Sequence, residues 1–148
     1  MADVVMNIAL GKVKYYWELP AAADAIVVVP LEATGLEADA TLRDYDDLAA
    51  LLAGPTNEQT TMGRKTITSG ITITVDDTNN RLDIDCPDQV WTGAAGNPIG
   101  ALLFCYDGDT GAGTDSAIVP LHKHDFSITP DGSDVTAQIA ASGIFRAQ

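Results

Sequence analysis

The chain has 148 residues, a length that fits a single domain. It carries 21 acidic residues against 8 Lys and Arg, and the net charge of −13 argues against binding to nucleic acid or to an anionic membrane. Hydrophobic residues make up 46% of the chain, too many for an acidic disordered tail, and 17 of the 21 acids are Asp, which favours turns over helix interiors.

The N-terminal region has no pattern typical of a targeting or membrane segment. Met1 to Val5 has neither the basic start nor the apolar core of a signal peptide. The most apolar run, residues 21–30, contains Asp24 and is far shorter than the ~20 residues of a membrane helix. We therefore expect the protein to stay in the cytosol where it is made, or to act there first.

Residues 1–20 are expected to form an N-terminal arm or a first structural element, and residues 21–148 a single β-sandwich domain. The stretch 13–19 fits a strand or a helix, whereas residues 25–31 predict a strand. Three consecutive aromatic residues stand beside two of the few cations in the first segment. This combination makes the segment a candidate surface for contact with a partner protein, through Lys12, Lys14, Tyr15, Tyr16 and Trp17.

One short α-helix is predicted, over about residues 44–53. Three leucines recur there at helical spacing, and Asp44 is placed to cap the first backbone amides. Gly54 and Pro55 mark the end of the helix, because glycine favours the residue just past a helix and proline cannot continue it.

After this helix the apolar period changes from helical to alternating. Aliphatic residues alternate with threonine from Ile67 to Val75, which predicts one strand with a bulge at Gly70. Residues 76–80 predict a hairpin loop, since Asn and Asp tolerate left-handed backbone conformations, and residues 81–86 form the return strand.

Further strands are predicted at residues 89–92, 101–106 and 117–121. Pro120 confines the last of these to a sheet edge or a strand end, because proline has no N–H to donate to a ladder.

The C-terminal part predicts a hairpin that joins residues 126–129 to residues 134–139 through a Pro-Asp-Gly turn, followed by a last strand within residues 140–147. In total, the sequence predicts a mainly β protein, an antiparallel β-sandwich or barrel of eight to ten strands with one short helix.

The two cysteines, Cys86 and Cys105, each stand in a strand-like run. They are too few for a disulfide scaffold, and a chain made in the cytosol favours free, buried thiols over a disulfide between neighbouring strands.

Two groups of residues are weak candidates for a metal site. Asp107, Asp109 and Asp115 stand in one glycine-rich loop and offer carboxylates to calcium, but the loop lacks the glycine and glutamate positions of an EF-hand. His122 and His124 would share one strand face, a spacing usable by zinc, with no obvious third ligand. The alternative interpretations, a solvated loop and a polar strand end, are preferred, so we predict no metal and no cofactor.

No pattern of catalytic residues emerges. Asp83 and Asp85 share one strand face, but an acidic row opposite threonine is an ordinary sheet surface. Trp17 and Trp91, together with Tyr15 and Tyr16, could stack on a sugar, although core or subunit contact is the preferred interpretation of these aromatic residues. We therefore expect a protein that is not an enzyme.

Five segments, taken in order, resemble one family. They are residues 38–52 (ADATLRDYDDLAALL), 64–68 (RKTIT), 74–85 (TVDDTNNRLDID), 105–110 (CYDGDT) and 124–126 (HDF). The set is similar to small virion structural proteins of tailed bacteriophages, especially phages of actinobacteria. The resemblance spans most of the chain from about Asp24 onward and depends on the order of the segments, since none is a catalytic signature.

The resemblance implies a capsid decoration protein, or cement protein, located in the virion. Its partners would be the major capsid protein and further copies of itself, with a trimer as one arrangement. Two alternatives stay open. One is a minor tail or tail-fibre component, and the other is a calcium- or carbohydrate-binding module for adsorption to the host.

Overall fold

The computed structural model describes residues 3–148, and its main feature is a set of ten β-strands in three antiparallel sheets. The described strands are β1 (Val4–Val5), β2 (Ala25–Glu32), β3 (Lys65–Ile67), β4 (Thr72–Asp76), β5 (Arg81–Asp85), β6 (Gln89–Trp91), β7 (Ile99–Asp107), β8 (Ile118–Ile128), β9 (Val135–Ala137) and β10 (Phe145–Ala147). The described α-helices are α1 (Val13–Trp17), α2 (Asp39–Leu42) and α3 (Leu48–Leu52), and 3₁₀ turns lie at Asn7–Ala9 and Asp115–Ala117. The predicted fold class, mainly antiparallel β and sandwich-like, is confirmed.

A five-stranded sheet with the order β1-β8-β7-β2-β3 forms the centre of the molecule. Its two middle strands, β2 and β7, are continuous apolar runs, and they pair from Ala25 opposite Asp107 to Glu32 opposite Ile99. Such runs arise where both faces of a strand are buried, because neither face then needs polar side chains.

Both faces of this sheet are covered, and successive residues of β2 enter different cores. Val28 belongs to a cluster with Trp17 of α1 and Ile84 of β5. The next residue, Val29, belongs to a second cluster with Leu48 of α3. The smaller sheets, with the orders β10-β5-β4 and β6-β9, contribute to the first cluster, whereas α2 and α3 contribute to the second.

The predicted helix at 44–53 begins later than expected and is one of three described α-helices. The N-cap is Asp47, whose Oδ1 accepts a hydrogen bond from the amide of Ala50 at 2.8 Å. Asp44 instead lies in a turn after α2, where its amide donates to the carbonyl of Thr41. The acidic run therefore contains a turn at Asp44 and an N-cap at Asp47, and the helix begins only after Asp47. The undecided stretch at 13–19 contains α1.

The single strand predicted from Ile67 to Val75 is wrong, because two strands of different sheets occupy this region. β3 ends at Ile67 in the central sheet, and β4 begins at Thr72 in the three-stranded sheet. Gly70 lies between them with a φ of +75°, and a Cβ there would lie 2.7 Å from Cγ of Pro87. The glycine turns the chain from one sheet to the other instead of forming a bulge.

Two predictions about the C-terminal strands are also wrong. β8 runs unbroken through Pro120 and is flanked by β1 and β7, so the strand does not end there and is not an edge strand over its whole length. The ladder tolerates it because the register between β7 and β8 shifts there, and β1 pairs only farther along, at His122 and Lys123. The predicted hairpin of 126–129 with 134–139 does not form, since β9 pairs with β6.

The described part of the N-terminal segment packs against the rest of the fold. Met6, Ala9 and Trp17 are at most 1% exposed, and the amide of Met6 donates to the carbonyl of Leu121 in β8. No described helix has the length and apolar content needed to cross a membrane.

Candidate functional site

The exposed apolar side chains of the described chain are concentrated in the N-terminal segment. Ile8, Leu10 and Tyr15 are 37%, 62% and 55% exposed, and Val75 and Val90 are the other large apolar residues exposed in residues 3–148. Ala9 and Val13 occupy the buried side of the same segment. The segment therefore uses one side for the core and presents apolar side chains on the other, an arrangement typical of contact surfaces.

A groove of about 240 Å³ lies between this segment and the three-stranded sheet. Its lining is mostly apolar and consists of Val5, Leu10, Gly11, Val13, Lys14, Leu82, Phe145 and Ala147. The groove exists because β10 pairs with β5, which brings Phe145 and Ala147 beside Leu82 at the edge of the N-terminal segment.

The five predicted contact residues have different environments. Lys12, Lys14 and Tyr15 are exposed, and the ammonium of Lys14 forms an ion pair with Glu18 one helical turn away. Tyr16 is half-buried, and its ring packs 4.8 Å from that of Tyr106.

Trp17 is 1% exposed and belongs to the core, so its assignment to the contact surface is corrected. In a helix of this length, Trp17 lies one turn after buried Val13 and shares its inward face, which places Lys14 and Tyr15 toward solvent.

The two histidines form a hydrogen-bonded pair that links the N-terminal segment to β8. The indole Nε1 of Trp17 donates to Nε2 of His122 at 3.1 Å, and Nδ1 of His122 lies 2.9 Å from Nε2 of His124. Nδ1 of His124 lies 3.0 Å from Oδ2 of Asp3. Both rings thus have a protein partner at each nitrogen, and the described residues contain no group of three or more ligands suited to a metal ion.

His122 is buried and stacked between aromatic rings. Its ring centroid lies 5.6 Å from that of Trp17 and 5.1 Å from that of Phe104. Burial, with a smaller contribution from His124, lowers the pKa of His122 well below its ordinary value. The neutral ring is therefore a structural group in this sheet.

Lys123 alternates with the two histidines and points to the opposite face of the sheet. Its side chain is fully buried, and Nζ donates to Oδ1 of Asp39 at 2.8 Å and to Oδ1 of Asp125 at 2.6 Å. Burial alone would lower the pKa of Lys123, but the hydrogen bonds with Asp125 and Asp39 outweigh it and hold the pKa above its ordinary value. The ammonium ties α2 to the central sheet.

The three loop aspartates proposed as weak calcium ligands are bound within the protein. Asp107 accepts a hydrogen bond from the amide of Asp109 at 3.0 Å, and Asp109 accepts one from Gly111. Asp115 instead binds the guanidinium of Arg64 through both oxygens, at 2.6 and 2.9 Å.

Arg64 also binds Glu58 through two hydrogen bonds of 2.8 and 2.6 Å. Its hydrogen bond with Asp115 lowers the pKa of that carboxyl. Asp115 therefore belongs to an ion-pair cluster with Arg64 and Glu58, and the other two weak calcium candidates form local turns.

The remaining candidates have structural roles. Cys86 and Cys105 are free thiols, 5% and 0% exposed, which confirms the preference for buried thiols over a disulfide. Burial, followed by the charges of nearby aspartates, raises the pKa of Cys86 to about 12, and burial also raises the pKa of Cys105. Neither thiol has the low pKa of a nucleophile.

The tryptophans proposed for sugar binding and the two strand aspartates also have partners within the fold. Trp91 is 2% exposed, and its Nε1 donates to the carbonyl of Gly63, so the tryptophans form no sugar-binding platform. Asp83 binds Arg146, which lowers the pKa of its carboxyl, while Asp85 accepts a hydrogen bond from the amide of Cys86.

Sequence reasoning missed the groove and the buried ion pairs. The groove joins residues from opposite ends of the chain, and no local pattern reveals such a contact. The sequence did contain a signal for the buried position of Lys123. Successive strand residues point to opposite faces, so Lys123 lies on the other face of β8 from His122 and His124 and faces a second core. A comparison with known proteins found no family model, curated protein or solved structure that matches this chain.

Proposed function

We propose that the protein is a non-enzymatic structural component of a tailed-bacteriophage virion, a decoration protein that binds the outside of the major capsid shell. The resemblance of its ordered segments to small virion proteins suggests this class. The observation that carries the proposal is the two-sided N-terminal segment, which is anchored in the core and presents exposed apolar side chains outward.

The contact with the shell is assigned to Ile8, Lys12 and Tyr15. Ile8 and Tyr15 add apolar and aromatic area, which is enriched in protein interfaces. Lys12 is exposed, and its ammonium makes no hydrogen bond or ion pair within the described part of the chain. A charge of this sign is scarce on a protein with a net charge of −13, so it favours a partner surface that is acidic at this point.

The internal partners of the reactive side chains support a structural role. His122, Lys123 and Arg64 each bind other parts of the fold, and their bonds join elements distant in sequence. A decoration protein needs a rigid body that keeps its shape while many copies cover a shell, and symmetry-related contacts then add up through multivalency.

The test uses virions that carry this protein. Quantitative mass spectrometry of purified particles together with a cryo-EM map is expected to show a high copy number and density of this shape on the outer face of the shell. A low copy number with density confined to the tail would overturn the assignment in favour of a tail component.

A matched pair of variants tests the contact. Tyr15→Ser is expected to lower the occupancy on shells that lack the native protein, because it removes an exposed aromatic contact. Val90→Ser changes an exposed apolar residue on β6 and is the control. Equal occupancy of the two variants would contradict the role of the N-terminal segment.

A further inference from the structure

A continuous surface runs from the N-terminal segment across the three-stranded sheet to the hairpin between β4 and β5. Two neighbouring cavities form it, and Leu82 and Ala147 line both of them. Around this shared middle the surface is apolar, with Phe145 half-buried and Leu10 and Val75 each 62% exposed. We call this the hairpin face.

The two ends of the hairpin face have opposite charge. Lys14 lines the cavity at one end, where its ion pair with Glu18 is about half exposed and therefore weakly held. Asp76 and Asp77 line the cavity at the other end.

Asp77 is the uncompensated charge at this acidic end. It is exposed and makes no hydrogen bond or ion pair within residues 3–148, whereas Asp76 binds the backbone of its own loop. The guanidinium of Arg81, which lines the same cavity, lies 3.3 Å from Asp76 and 3.1 Å from Asp83, so it is already neutralised.

A surface with a cationic end, an apolar middle and an anionic end is complementary to itself under a two-fold rotation. We propose that the hairpin face binds a second copy of this chain, with the two-fold axis near Leu82 and Ala147. The rotation superposes the apolar middles and brings Lys14 of each protomer to Asp77 of its partner. Such isologous contacts are the commonest in protein oligomers.

The charge of the whole protein makes this arrangement specific. Two chains of −13 repel each other in most orientations, so contact is favoured only where a cation of one copy meets an anion of the other. If the two hairpin faces packed in the opposite relative orientation, Asp77 of one copy would lie against Asp77 of the other. The same geometry predicts a dimer, and a trimer would need a different interface.

The inference does not depend on the virion role, and it is tested on the purified protein alone. Sedimentation equilibrium of the wild-type chain is expected to give twice the mass of one chain. Lys14→Glu and Asp77→Lys each place like charges opposite each other at both ends of the interface. Each variant alone is expected to weaken the dimer at least about tenfold.

Mixing the two variants provides the decisive measurement. In a mixed pair, the carboxylate introduced at position 14 of one chain meets the ammonium introduced at position 77 of the other. At the opposite end of the interface the unchanged Lys14 and Asp77 meet, so both contacts regain opposite charges. The equimolar mixture is therefore expected to form dimers that neither variant forms alone. Leu10→Ser tests the apolar middle independently and is also expected to weaken the dimer.

Lys65→Glu is the matched control, because it makes the same charge change on β3, outside the hairpin face. Lys14 and Asp77 are exposed, so thermal melts of the two variants are expected to match the wild type. A wild-type monomer or trimer would overturn the proposal. A dimer that persists in both single variants, or two variants that fail to pair on mixing, would overturn it as well.

Discussion

The indole of Trp17 and the imidazole of His122 are joined by a hydrogen bond that spans 105 positions of the chain. An indole nitrogen only donates, so Nε2 of His122 is the acceptor and the proton of this neutral ring is on Nδ1. Nδ1 then donates to Nε2 of His124, which leaves the Nδ1 proton of His124 facing Asp3. One bond in the core thus determines the tautomers of both histidines.

This arrangement predicts a loss of stability in mild acid. The pKa of folded His122 lies well below its ordinary value of 6.5, so the unfolded chain binds a proton first as the pH falls. The stabilisation is fully present above about pH 6.5 and is lost below it, by at most about 1.4 kcal/mol for each pH unit.

Urea unfolding at a series of pH values measures this effect. His122→Gln keeps a side-chain acceptor for Trp17 but does not titrate, so the difference between wild type and variant isolates the contribution of His122. A difference that stays constant from about pH 7 to about pH 5, on either side of the ordinary histidine pKa, would contradict the assignment.

Asp47 is predicted to hold the start of α3. Asp47→Ala removes the acceptor of the Ala50 amide and is expected to cost about 1 kcal/mol of the free energy of unfolding. Asp47→Asn retains capping ability and should cost much less. Asp46 is exposed one residue earlier, and Asp46→Ala is the control; an equal loss in the Asp46 variant would indicate a general charge effect.

Gly143 is predicted to be essential for the docking of β10. It has a φ of +89°, and a Cβ there would lie 2.3 Å from the carbonyl oxygen of Ile84. Gly143→Ala is expected to destabilise the fold by more than about 3 kcal/mol, since backbone must shift.

Gly113 provides the comparison for this substitution. It has a φ of +63° with nothing within 4 Å of the added atom, so Gly113→Ala should cost only about 1 kcal/mol of backbone strain. Equal losses in thermal melts of the two variants would show that the contact with Ile84 is unimportant.

Chelation is predicted to leave stability unchanged. Because Asp115 is bound by Arg64, the loop from Asp107 to Asp115 has no assembled set of ligands. The melting temperature should be the same in EDTA and in millimolar calcium. A rise in calcium that Asp109→Ala abolishes would revive the calcium-binding alternative.

The thiols are predicted to be unreactive in the folded protein. Cys86 is 5% exposed with a pKa of about 12, so little thiolate forms at neutral pH. A thiol reagent such as DTNB should react with Cys86 and Cys105 only after denaturant is added. Rapid reaction of one thiol without denaturant would contradict their burial.

Local patterns predicted much of the secondary structure but little of the pairing. β2 and β7 were identifiable as continuous apolar runs. The hairpin of β4 and β5 was identifiable because its residues alternate regularly and pair with near neighbours in the sequence. The pairing of β9 with β6 was missed because β8 is the nearer partner in sequence and a tight turn precedes β9. The choice of partner depends on which strand offers a free edge, and sequence periodicity carries no information about it.

For the candidate site, too, local patterns predicted the roles of single residues but not the contacts between distant segments. Lys14 and Tyr15 were identified as surface residues from their charge and their aromatic neighbours. Trp17 was grouped with them as part of one aromatic run, although it lies on the inward face of the same short helix. Phe145 and Leu82 could not be associated with the N-terminal segment, since only the completed sheet brings them together.

The pairing of Val4 with Lys123 has a consequence for the order in which the chain can fold during synthesis. β1 has no partner until β8 has left the ribosome, whereas β2 can pair with β3 earlier and waits for β7 only on its other edge. One edge of the apolar run from Ala25 to Leu31 therefore stays unpaired until residues 99–107 are made, exposed to other nascent chains. The Asp-rich segments made between β2 and β7 would then help to keep such nascent chains apart.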